Sequence, residues 1–211
     1  MTKSRHILSG ACNLAVVILV IMSIAWFYMP GREADPFLDG IGLFCFFTTD
    51  SNVLAALACL ALLPTNFKGQ KPGMGDTPLP HAAFVFKFVG TAAVTVTFMT
   101  VMLFLGPVYG YTAMFKGANL YLHLVCPLLC IVGFCCAEAG TLSFKEMLLG
   151  MLPVLVYGIV YFTMVVALGA WKDFYTFNTG GLWYVSLVAM GAATFVFCLA
   201  LRFLHRKGAG E

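Results

Sequence analysis

Six long apolar runs, parted by short polar connections, dominate this chain and restrict what it can fold into. A hydrocarbon layer about 30 Å thick is crossed by about 20 apolar residues in a helix. In that layer only helices and closed barrels satisfy their own backbone polar groups. The runs are too long for barrel strands, so the expected fold is all-α: a polytopic integral membrane protein with six transmembrane helices. The spans fall at about 7–29, 41–63, 82–105, 118–137, 147–170 and 182–203, in a single domain covering 1–211. Charged residues make up 10% of the chain, where a soluble domain carries about 25%; that balance excludes a soluble enzyme or a nucleic-acid binder. The first run is longer than the roughly 7–15 apolar residues of a signal peptide, so it reads as a retained span. Pro30-Gly31 stops it, and a short loop with Glu33, Asp35 and Asp39 follows.

Lysine and arginine orient the spans. Lys3, Arg5, Lys68, Lys71, Lys145, Arg202, Arg206 and Lys207 fall on the side of the termini, and Arg32, Lys116 and Lys172 on the other. Both termini are therefore expected in the cytoplasm. Lys87, a turn into span three, is expected to snorkel toward that side. His6 and His205 read as interface residues and His81 as a surface residue. The eight cysteines lie in apolar segments without metal-ligand spacing and read as small hydrophobes.

One stretch breaks the apolar pattern. Thr48, Thr49, Asp50, Ser51 and Asn52 follow Phe46-Phe47 near the start of span two. Unpaired polar groups cost several kcal/mol each, roughly, in hydrocarbon, so these need partners. Thr48, Ser51 and Asn52 share a helix face at i, i+3 and i+4, while Thr49 and Asp50 point elsewhere. Span four carries Asn119 and His123, again at i and i+4. Counted from the span boundaries, Thr48 and His123 lie at similar depths, Thr48 roughly 10 Å below the surface at about 1.5 Å per residue. A hydroxyl beside an imidazole is a nucleophile–base pair. Asn52, Asn119 and Ser51 are candidates to orient the base or to stabilise an oxyanion. Ionisable residues inside a membrane are rare and mark sites, which singles out His123 and also Asp50. A protonated Asp50 bonded to the threonines of span three (Thr91, Thr95, Thr97, Thr100) is the structural reading of that carboxyl, and an ion relay in a small multi-pass transporter the functional one. A non-catalytic scaffold or a heme-binding subunit is a third reading, and for heme only His123 lies at useful depth, with no second buried histidine to pair with it. No cofactor, no metal and no nucleic-acid partner is expected.

Phe46-Phe47-Thr48-Thr49-Asp50-Ser51-Asn52 resembles the F-F-T-x-x-S-N pattern of bacterial six-helix membrane proteins. Those are related to the androgen-induced-gene and androgen-dependent TFPI-regulating proteins of animals. Asn119 to His123 with Pro127 is similar to that superfamily's N-x-x-x-H motif and following proline. Tyr157 to Tyr161 and Tyr175-Thr176-Phe177-Asn178 resemble the end of helix five and the loop after it in the bacterial members. The animal proteins hydrolyse fatty-acid esters of hydroxy fatty acids with an intramembrane threonine and histidine. The resemblance thus implies a threonine hydrolase acting on lipid esters, with Thr48 as nucleophile, His123 as base, and membrane lipids as surroundings and substrate source. It also implies a bacterial cytoplasmic membrane location, and Tyr157 and Tyr161 join Thr49 and Asp50 as possible substrate-site residues. The Thr48-Thr49 doublet leaves two registers open for the nucleophile.

Overall fold

The computed structural model describes residues 1–29, 40–71, 73, 74 and 77–209. The expected stop at Pro30-Gly31 and the acidic loop after it, with Arg32, lie outside the described residues. Among those described, the fold is all helix with no strand. Five helices are long and apolar enough to cross a membrane: α1 (Lys3–Phe27), α2 (Phe47–Gly69), α3 (His81–Tyr109), α5 (Phe144–Ala167) and α6 (Trp183–Ala209). A shorter apolar helix, α4 (Tyr121–Ala137), stands between α3 and α5.

Burial identifies the solvent for which these helices are built. On α1 the buried positions include His6, Ser9, Asn13 and Ser23, whereas Ile21 and Met22 are 61% exposed. Polar residues inside and large apolar residues outside reverse the soluble rule and suit a lipid-facing bundle held by small and polar contacts. Helix α2 packs between α1 and α3, and α4 lies against α1 and α3. Gly90 shows how close α2 and α3 approach: a Cβ there would sit 2.9 Å from Ala55 Cα. Helix α6 covers the end of α4 and one side of α3, and α5 rests on α6 and α3.

Three features differ from the sequence expectation. Helix α2 does not begin at 41. Gly40–Cys45 forms a 3₁₀ turn, Phe46 is extended, and the α-helix begins at Phe47. Thr48 thus lies in the first turn of its helix. Second, α2 runs through Pro64 to Gly69, because its last turn is tied down by Asn66, whose Nδ2 donates to Ser9 Oγ at 3.1 Å. Third, α4 is locally widened: residues Tyr121–Val125 and Gly133–Ala137 form π turns. Pro127 accounts for the first of these, since it has no N–H to continue the ladder, and Cys126 N–H reaches back five residues to Tyr121 O.

Lys87 does not snorkel. It is fully buried, with Nζ 2.8 Å from both Asn13 Oδ1 and Cys59 Sγ and 4.0 Å from Glu138 Oε1. Glu138 in turn accepts from Ser9 Oγ at 3.2 Å and Asn13 Nδ2 at 3.4 Å. His6 and His205 are likewise buried rather than interfacial, each bonded to backbone carbonyls. For Lys87 the contacts with Asn13, Cys59 and Glu138 stand in for the hydration it would find at the membrane edge. His81 is exposed, on Glu146. All eight cysteines are free, and most are buried.

Candidate active site

The start of α2, the π turn of α4 and the loop before α6 converge. Thr48 Oγ1 lies 3.3 Å from His123 Nε2. His123 Nδ1 lies 2.7 Å from Met114 O, in the one-turn helix Tyr111–Met114 that precedes α4. A carbonyl only accepts, so Nδ1 carries the proton and Nε2 presents its lone pair. Thr48 Oγ1–H then donates to Nε2. This is a hydroxyl, a base and an orienting acceptor in series, the last being a backbone carbonyl in place of a carboxylate. Of the threonine doublet, Thr48 is the residue whose hydroxyl meets the imidazole. Thr49, expected to point elsewhere, is buried and lines the same cavity, because in the first turn of a helix neighbouring residues flank one opening.

Asn52 links the two helices. Its Nδ2 donates to Thr48 O at 2.7 Å and to Leu122 O at 3.0 Å. Leu122 O is an orphan by construction: its five-residue partner would be Pro127, which has no N–H, and its four-residue partner, Cys126 N–H, is on Tyr121 O. The amide of Asn52 therefore repairs the gap that Pro127 creates. That commitment removes it from the oxyanion candidates and makes it a positioning residue. Ser51 is removed in the same way, with its hydroxyl 2.7 Å from Thr97 Oγ1 and 3.2 Å from Thr48 O. Asn119 is half-buried and stays at the cavity with His123.

Two donors to which the sequence assigned no role lie at Thr48. Its own backbone N–H has no acceptor among the described residues, as expected in the first turn of a helix, and it carries the positive end of the helix dipole. The other is Tyr175, buried in the loop before α6. Its hydroxyl accepts from Phe47 N at 3.1 Å and neighbours the hydroxyls of Thr48 and Tyr157. Burial pushes this phenol up to about 12, so it is a neutral O–H donor at physiological pH. The loop holding it is organised by Asp173, whose carboxylate accepts from Tyr161 Oη at 2.7 Å, Phe177 N at 2.9 Å and Asn178 N at 2.8 Å. Tyr161 Oη accepts from Tyr175 N at 3.2 Å, and Tyr157 Oη donates to Cys45 O at 2.7 Å. Tyr157 and Tyr161 thus brace the site, and both also line a second cavity that borders Thr48. The available signal was a lone acid, Asp173, inside an aromatic loop.

Asp50 stands apart. It makes no hydrogen bond to span three; instead it lines a separate groove of about 400 Å³ with Leu152, Pro153 and Tyr157. Beside Thr48 and His123 is a cavity of about 290 Å³, also lined by Thr49, Tyr109, Asn119 and Tyr175. That is room for roughly twenty waters at about 10–15 Å³ each. Among the described residues no group of three His, Cys, Asp or Glu side chains could hold a metal ion.

Fold and site together define an all-helical, multi-pass type of protein, of integral-membrane character, with a polar centre at one end of its bundle. Compared with known proteins, the chain matches no family model, no curated protein and no solved structure.

Proposed function

We propose that this chain is an intramembrane threonine hydrolase of lipid esters, such as fatty-acid esters of hydroxy fatty acids. The observation that carries the reading is the Thr48–His123 pair, with the imidazole held in its basic tautomer by Met114 O. Thr48 Oγ attacks the ester carbonyl carbon while His123 Nε2 takes its proton. The oxyanion of the tetrahedral intermediate faces Thr48 N–H and Tyr175 O–H. Collapse breaks the bond to the alcohol oxygen, which leaves with the proton from Nε2, and acyl-Thr48 remains. Water from the adjoining cavity loses its proton to Nε2, attacks the acyl carbon, and releases the fatty acid and the Thr48 hydroxyl.

In this reading α4 also crosses the membrane, as the fourth of six spans, both termini are cytoplasmic, and the protein resides in a bacterial cytoplasmic membrane. Purified protein is expected to label with a fluorophosphonate and to hydrolyse a fatty-acid ester; unchanged labelling and turnover in both Thr48→Ala and His123→Ala would falsify the assignment. A transporter reading has one observation in its favour, the half-buried Asp50 carboxylate on its own groove. Proteoliposome flux that depends on pH and disappears in Asp50→Asn would favour it.

A further inference from the structure

Thr48 and Tyr175 border a second cavity besides the polar one, a narrow slot of about 50 Å³ between α2, α3, α5 and α6. Its remaining wall is chiefly apolar, with Val96, Val154, Phe162, Leu187 and Met190. Of the other polar residues on that wall, Thr97 has its hydroxyl on Ser51, Tyr157 on Cys45 O and Tyr161 on Asp173. At its far side the slot shares Thr100, Phe177 and Met190 with an open groove of about 400 Å³ between α3 and α6. That groove is flanked by Leu103, which is 67% exposed. The outer groove and the polar cavity with His123 are thus both neighbours of the slot, the first through Thr100, Phe177 and Met190 and the second through Thr48, Leu105 and Tyr175.

We infer that this slot seats a straight hydrocarbon chain, the acyl chain of the ester, which enters sideways from the lipid between α3 and α6. The slot has room for roughly four water-sized spheres. That admits a polymethylene chain with slight parting of the helices and refuses a fused ring or a headgroup. The division at Thr48 then sorts the substrate: hydrocarbon on the slot side, alcohol and water on the His123 side. Gly158 keeps the slot open. A Cβ there would meet Leu187 Cδ1 at 3.1 Å, so any larger side chain narrows the passage and shortens the chain that fits. The inference rests on the hydrolase reading for the fate of the ester, but the seat of the chain can be tested separately.

The full chain in lipid nanodiscs, exposed to a palmitate analogue with a terminal diazirine and irradiated, is expected to carry its cross-links at Gly158, Leu187 and Met190. Gly158→Leu, and Leu187→Phe from the opposite wall, should each reduce that labelling about tenfold. Each should also shift hydrolysis toward short-chain esters by about tenfold, the scale on which a filled pocket discriminates methylenes. Two variants on different helices guard against one that simply misfolds. Labelling spread evenly over outward residues such as Val188 and Leu168, with chain-length preference unmoved by either variant, overturns the assignment. Slot labelling in a wild-type protein without ester turnover would remove the hydrolase reading and keep the slot. Turnover with neither slot labelling nor a chain-length shift would do the reverse.

Discussion

Two polar clusters lie inside this bundle, at opposite ends of α2, and they are built differently. Near the termini, Lys87, Glu138, Asn13, Ser9 and Asn66 are all fully buried and bonded to one another. None of the cavities described above touches them. Near the start of α2, Thr48 and His123 border open volume, a ring nitrogen offers its lone pair, and a backbone N–H has no acceptor among the described residues. Both clusters hold an orphan acceptor, Glu138 Oε2 and Asn66 Oδ1 in one and Asn52 Oδ1 in the other, so imperfect satisfaction does not separate them. Uncommitted donors and bases beside a cavity do. By that criterion the richer cluster, with Lys87 Nζ 4.0 Å from Glu138 Oε1, is the structural one, and the sparser is the candidate for chemistry.

The sharpest way to break the contrast is to remove reacting groups at one end and charges at the other. Thr48→Ala and His123→Ala should each lower ester hydrolysis on the order of 10⁴-fold or more, as for groups that act as a unit. Thr49→Ala should cost less than about fivefold; a larger loss there would move the nucleophile by one residue. Stability of the two inactive variants in micelles should be near that of the wild type. Lys87→Met is expected to do the opposite. It leaves Glu138 buried without its cation, a change that costs about 3–5 kcal/mol, visible as a lower unfolding midpoint. Activity per folded molecule should hold. Lys87→Met with Glu138→Gln should recover much of the loss; failure to recover would mean that the ion pair is not what Lys87 is for.

The parts of this arrangement that could be read in the sequence share a physical cause. A polar residue in an apolar run is conspicuous, so Thr48 and His123 stood out, and hydrocarbon thickness sets the length of every long helix. The start of α2 was hidden because Gly40 to Phe46 is as apolar as the helix itself; only backbone geometry distinguishes the 3₁₀ turn from the helix that follows. Met114 contributes a carbonyl, which every residue possesses, so no residue type could mark it. Tyr175 arrives from a loop 128 residues beyond Phe47, and a tyrosine near a membrane interface is ordinary. Lys87 was misplaced because a lysine one turn into a span fits snorkelling as well as an inward pair. The partners that decide between these, Asn13 and Glu138, lie on other helices.

Tyr175→Phe tests whether the free donors at the Thr48 end matter. Losing one oxyanion donor costs about 10²–10³ in kcat, and KM should move little. The same change removes the acceptor of Phe47 N–H, worth about 1 kcal/mol of stability. A purely structural Tyr175 would show that stability loss with kcat intact, which would leave Thr48 N–H as the remaining donor.

Asn52→Leu is expected to cost less activity than Tyr175→Phe and falls between the two clusters in kind. Asn52 is polar and buried, as in the terminal cluster, yet it sits against the Thr48–His123 pair. Its removal strands Leu122 O, already deprived of a helical partner by Pro127, at a cost of about 1–3 kcal/mol. Because that carbonyl belongs to the π turn carrying His123, the loss should loosen the imidazole as well as the helix. Activity is expected to fall about tenfold, the equivalent of about 1.4 kcal/mol. Adding Pro127→Ala to the Asn52→Leu background should restore part of both, since alanine supplies the N–H that proline withholds from the ladder. Restoration of stability without activity would mean that an α-helical turn returns the carbonyl to its ladder but turns His123 away from Thr48, and that the π turn itself is what aims the base.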